Sequence, residues 1–153
     1  MSYNNFKSAC QKMKLIPDYE SSGTISELEL EKAEARLDIR FSPQHREFLR
    51  QFNYTVFACI ELFGIQQNRN SSILEGNLVE YTLFDRQSYG LSDKWIPFFN
   101  FNDGTLAYFD YSLLNDANEP RIIRACYNGS YNIVEVLAED VGDFLSTLVD
   151  ECI

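Results

Sequence analysis

Apolar residues recur along this chain with two periods, and the change of period divides it into three parts. Phe6, Cys10 and Met13 stand at i, i+4 and i+7, which predicts a helix over residues 3–14 with one apolar face. Pro17 ends that pattern, and residues 17–24 read as a loop. Ser26 followed by Glu29 is a capping box, so a helix is expected from there to about Leu37. Leu30, Ala33 and Leu37 form its inner face, with Glu27, Glu31 and Glu34 pointing outward. Ser42-Pro43 supplies an N-cap and a first helical residue for a third helix. Its apolar face is His45, Phe48, Leu49 and Phe52, and it ends near Asn53.

The period then shortens. Residues 56–64 are rich in β-branched and aromatic side chains and read as one strand ended by Gly64. Residues 66–76 are polar and read as loop, and residues 78–87 fit either a strand or a helix. Residues 95–110 carry the clearest local signal. Two apolar runs, 95–101 and 105–110, flank Asn102-Asp103-Gly104, a hairpin turn in which Gly104 can take positive φ. Both runs are apolar at nearly every position, so both faces of this hairpin are expected to be covered. A polar connection over 113–120, a strand over 122–127, a turn at Asn128-Gly129 and a strand over 131–136 follow. Val141, Phe144, Leu145 and Leu148 predict a closing helix. Helices first, strands joined by short turns, then a helix give an α+β domain with a mostly antiparallel sheet and helices packed on it. Residues 1–153 are read as one domain, opened by the helix over residues 3–14.

Composition narrows the function classes. The net charge is −10. Residues 1–50 hold eight acids and eight bases, so the whole excess lies in residues 51–153. A nucleic-acid partner is disfavoured, because phosphate contacts need Lys and Arg. A basic partner drawn by long-range attraction fits, as does a merely solvated acidic surface. The longest apolar runs are about five residues, such as 56–60, too short for a membrane helix. The opening MSYNNFKS does not resemble a secretion signal. Cys10, Cys59, Cys126 and Cys152 have no regular spacing, and read as reduced thiols of a cytoplasmic protein, with Cys152 expected near the surface.

Catalytic chemistry has little to stand on. The one histidine, His45, falls among apolar neighbours and reads as a packed structural ring. No zinc-ligand spacing, phosphate-binding loop or dinucleotide fingerprint occurs, so no metal or cofactor is expected. Asp103 and Asp110 flank one strand, and Glu61 and Glu80 stand elsewhere, but Asp103 is explained by the turn.

The order of these pieces resembles the SUKH superfamily, which includes bacterial immunity proteins and a yeast cell-wall-synthesis regulator. ISELELEKAEARLDIRF (25–41) is similar to the opening "I…E…E..LG..LP", and SPQHREFLRQFN (42–53) to "P..Y..FL...N". CIELFG (59–64) is similar to "…LYG", and residues 77–99 to the segment leading into "IPI". NDGTLAYFD (102–110) is similar to "DG…..D", with Asp103, Gly104 and Asp110 in register, and LAEDVGDFLSTLV (137–149) to the closing helix. The resemblance covers roughly residues 24–149, which it makes the core of the domain, and favours a helix over 78–87. It implies a bacterial immunity protein, not an enzyme, that neutralises a cognate toxin, often a nuclease, by stoichiometric occlusion. The alternative is a non-enzymatic regulatory scaffold. The acidic part of the chain is then the expected contact surface. Its candidates are Glu61, Asp103, Asp110, Asp116, Glu119 and Glu135, with Tyr108, Tyr111 and Tyr127 as aromatic anchors.

Overall fold

The computed structural model describes residues 2–65 and 77–152. The element order is α1 (Ser2–Met13), β1 (Glu20–Ser21), α2 (Glu27–Leu37), α3 (Pro43–Gln51), β2 (Thr55–Phe57), β3 (Ile60–Leu62), α4 (Leu78–Tyr89), β4 (Trp95–Asn100), β5 (Thr105–Leu114), β6 (Pro120–Tyr127), β7 (Tyr131–Ala138) and α5 (Val141–Glu151). The seven strands form one sheet in chain order, each antiparallel to the next. This is the α+β architecture the patterning predicts. The expected loop over 66–76 lies outside the described residues.

The helices start where their caps place them. Ser26 Oγ accepts from the Glu29 N–H at 3.2 Å and Ser42 Oγ from the His45 N–H at 3.3 Å. Residues 78–87 fall in a helix. Asn77 caps it by accepting from the Glu80 N–H, and Gly90 closes it in the left-handed conformation. Glu34 does not point outward as expected. Its carboxylate accepts from the Phe41 N–H at 2.8 Å and pairs with Arg46 at 2.8 Å, clamping the α2–α3 connection.

The expected single strand over 56–64 is two strands. Phe57 pairs with Ile60 across a two-residue turn whose central residues, Ala58 and Cys59, both have positive φ. Such a turn is normally signalled by Asn or Gly, so the apolar run VFACI hides the reversal. β1 falls within the stretch read as loop and adds two residues to the sheet edge. β5 continues four residues beyond Asp110, into what reads as a polar connection. The hairpin at 102–104 forms as expected, with Asn102 and Gly104 at positive φ.

Gly64 is held by its surroundings. A Cβ there would lie 2.2 Å from the Tyr54 backbone N and 2.6 Å from the Asn53 carbonyl carbon. Asn53, buried and at positive φ, fixes this approach with its side chain. Its Oδ1 accepts from the Ile65 N–H at 2.6 Å and its Nδ2 donates to the Ile65 carbonyl at 2.7 Å. The side-chain amide therefore acts as a strand partner for Ile65, next to the parallel bridge between Gly64 and Asn77.

The main core lies on one sheet face. Ile96, Phe98, Phe109 and Ile122 meet Phe48 and Leu49 of α3 and Phe144, Leu145 and Val149 of α5. α1 packs on α5 and contributes Phe6, Ala9 and Met13 to the same core. Two predictions follow from the Gly64 junction. Gly64→Ala should cost at least ~3 kcal/mol in urea unfolding, because only backbone can yield. Asn53→Ala should cost on the order of 2–3 kcal/mol by orphaning two buried backbone groups.

Candidate protein-docking surface

The sequence-selected acids do not converge. Asp103 is exposed at the tip of the β4–β5 hairpin, where its Oδ1 accepts from the Thr105 N–H and hydroxyl and its Oδ2 pairs with Arg124. The Thr105 hydroxyl first, then the backbone bond and Arg124, hold its carboxyl below the usual range. Glu135 is exposed and stands opposite Arg124 in the β6–β7 register. Glu61, half-buried, lines a cavity of about 220 Å³ with Cys59, Phe63, Phe99 and Phe101. Asp116 is exposed in the β5–β6 connection, at the far end of β5 from Asp103.

Three of the selected residues are interior, which corrects their assignment to the surface. Asp110 is 1% exposed and ties Arg121, at 2.9 Å, to the Ser112 N–H. Glu119 is 2% exposed and accepts from the Gln44 N–H at 3.0 Å, inside the first turn of α3. Burial holds its carboxyl above the usual range. Tyr108 is 2% exposed and lies beneath Trp95 and Tyr131. Tyr111 is half-buried, and its hydroxyl is engaged by the Ser42 N–H at 3.0 Å and by His45 Nδ1 at 2.8 Å. Charge alone could not separate these from surface groups.

His45 is sealed in the core, stacked at 3.6 Å on Phe109, and burial pushes its imidazole down to about 3. Cys10 is also buried, and burial pushes its thiol up to about 12. The exposed cysteine is Cys59, in the β2–β3 turn, while Cys152 is half-buried. Among the described residues, no group of three or more His, Cys, Asp or Glu could hold a metal ion. No helix among them is long and apolar enough to cross a membrane.

What the structure does bring together is aromatic. The face of the sheet opposite the main core carries a second cluster of Leu91, Tyr108, Ile123 and Ala125, with Trp95, Leu106 and Tyr131 against it. α3 and α5 cover the other face, so the expected two-sided cover is incomplete here. The register sets Ile133 beside Ala125 and Val136 beside Ile123, and both remain about half exposed. Tyr127 is 42% exposed and its ring lies 4.9 Å from Tyr89 of α4 and 5.1 Å from Tyr131. Phe84 and Tyr89, each 46% exposed, extend the surface onto α4. Contiguous exposed aromatic and β-branched groups of this kind mark a protein contact.

Asp85 sits among them on α4, one turn from Tyr81 and from Tyr89, and is only 9% exposed. Its carboxylate has no hydrogen bond or ion pair among the described residues, and burial alone pushes its pKa up to about 6. Burial first, then Tyr131, Tyr81 and Asp85, hold the Tyr108 phenol above its ordinary range. The sequence held a faint sign of this group, an acid in the same helical stripe as Leu78 and Tyr81.

The chain matches the SMI1 / KNR4 family (SUKH-1) over residues 24–147. It belongs to that family. Its fold and its motif order agree with the assignment, which fits an immunity-protein-like function. No curated protein matches the sequence. In this SUKH domain the "DG…..D" residues shape the hairpin. Asp103 and Gly104 make the turn, and Asp110 braces the next strand through Arg121.

A stability prediction isolates Asp85. Its folded-state pKa of about 6 exceeds the ordinary aspartate value of 3.8, so protonation favours the fold. That stabilisation is complete below about pH 3.8 and is lost as pH rises through about 6. Asp85→Asn should therefore be more stable than the parent at pH 7, by on the order of 1 kcal/mol. The advantage should shrink on acidification across that window, read as the difference between the two urea midpoints at each pH.

Proposed function

We propose that this SUKH domain is an immunity protein that binds a cognate toxin with a basic surface and neutralises it by stoichiometric occlusion. The observation that carries the reading is the open sheet face. An aromatic and β-branched surface is left uncovered on a chain of net charge −10. Apolar side chains supply the contact area, and the surrounding negative potential selects and accelerates a basic partner. Nucleases carry basic surfaces because they bind phosphate backbones, so a nuclease toxin suits this chemistry. Glu61, Asp103, Asp116, Glu135 and Tyr127 are accessible candidates for the rim of the contact. Occlusion needs no turnover, no cofactor and no metal, and the site of action is the cytoplasm of a bacterial cell.

The test is co-expression with the C-terminal domain of a large secreted protein encoded beside this chain. Growth should be rescued and the two proteins should co-purify one to one. Their association rate should fall at least tenfold between low and physiological salt. A neighbour that stays toxic while this chain is abundant and folded would defeat that pairing. A complex whose association rate ignores salt would remove the electrostatic part.

A further inference from the structure

We propose that the aromatic face around Asp85 is a receptor for one arginine side chain of the partner, stacked against its tyrosine and tryptophan rings with its guanidinium on the Asp85 carboxylate. This rests on the reading of the chain as a binder of a basic protein and names the anchor of that contact.

The argument begins with what Asp85 lacks. A carboxylate that is 9% exposed is usually paired, and the other three buried acids among the described residues are engaged, Asp140 by capping α5 at the Asp143 N–H. Asp110 has Arg121 and Ser112, and Glu119 has the Gln44 N–H. Asp85 has no such partner among the described residues. The adjacent Arg86 reaches instead to the Leu37 carbonyl at 2.7 Å and the Asp93 carbonyl at 2.9 Å. A neutral side chain at this position would avoid the desolvation cost, so the fold gains nothing from the acid itself.

The surroundings have the chemistry of a cation site. Tyr89, Tyr127, Tyr131 and Trp95 follow one another at ring separations of 4.9, 5.1 and 6.1 Å. Tyr108 closes the inner side at 5.5 Å from Trp95 and 6.4 Å from Tyr131. Tyr89 lies one helical turn after Asp85, and the Asp85 carbonyl accepts from the N–H of Leu91, which packs on Tyr108. The Asp85 charge acts on the phenols of both Tyr108 and Tyr131, which puts its carboxylate beside the ring cluster. Ring faces attract cations most strongly where water is scarce. Guanidinium is planar and weakly hydrated, so it stacks on such rings while offering two donors to one carboxylate. An ammonium is a more heavily hydrated point charge that offers no plane to stack.

Trp95 is the only tryptophan in the chain, so its emission reports on this face directly. The full chain is titrated with N-acetyl-arginine methylamide at constant ionic strength, with amide spectra recorded in parallel. Saturable change is expected at about millimolar dissociation constant, centred on residues 85–91 and Tyr131. The neutral norleucine analogue should give none, and the lysine analogue should bind at least threefold more weakly. Asp85→Asn should lower affinity at least tenfold, and Tyr127→Ala, at an exposed ring, at least threefold. Absence of saturation well above millimolar, or unchanged affinity in Asp85→Asn, would overturn the proposal. Equal binding of the lysine analogue would overturn its arginine preference. Growth rescue is scored separately. A chain that rescues growth but ignores the probe keeps the immunity reading and loses this anchor. One that binds the probe through Asp85 but rescues nothing loses the immunity reading alone.

Discussion

Two helix N-termini are driven into the apolar face of the sheet, and their N–H groups must find acceptors there. Phe98 and Phe109 are covered only if α3 and α5 lie directly on them. The first turns of both helices are then cut off from water. The acceptors come from across the fold. Glu119, beside the β5–β6 connection, takes the Gln44 N–H, and the Gln44 side chain in turn takes the Gly142 N–H of α5 at 3.0 Å. The Tyr111 hydroxyl takes the Ser42 N–H and shares a second hydrogen bond with His45 Nδ1. Pushed to about 3, His45 stays neutral and suits that role. One polar seam thus docks α3, α5 and the long hairpins together. It also explains why an acid far from any visible site is buried.

That seam marks the limit of what the residues alone reveal. Local signals are read well where one residue type has one conformational reason to be present. Ser26, Ser42 and Asn102-Asp103-Gly104 each end or begin an element by their own chemistry, and each does so here. The β2–β3 turn is silent because Ala58 and Cys59 take positive φ under tertiary constraint, with no intrinsic preference for it. Glu34, Asp110 and Glu119 look like surface acids because their reason for burial is a partner distant in sequence or contributed by backbone. Net charge says nothing of which acids stay at the surface and which are buried.

The two faces of the sheet divide the work. One is closed by helices and carries the seam, the stacked His45 and most of the large core side chains. Among the described residues the other receives the end of α4 and the turn after it, and keeps Tyr127, Ile133 and Val136 half exposed at the β7 side. A fold that completes its core on one face can vary the other without unfolding. This is how a family can keep its motif order while changing its contacts. Of the residues that match the family pattern most closely, Gly64 and Gly104 serve the backbone, and Asp110, opposite Trp95 in the register, is buried in its bonds to Arg121 and Ser112.

Asp85 is the place where stability and recognition oppose each other. Its charge is unfavourable in the free fold, since burial raises its pKa and no charge among the described residues compensates. The same desolvation makes it a strong acceptor for any cation that reaches it, because water no longer competes for the carboxylate. A surface acid such as Asp103, already satisfied by Thr105 and Arg124, gives up existing bonds to bind anything else. Asp85 has none to give up among the described residues. In the proposed contact the free-energy cost of the unpaired acid and the gain on binding thus have a single origin, the desolvation of one carboxylate.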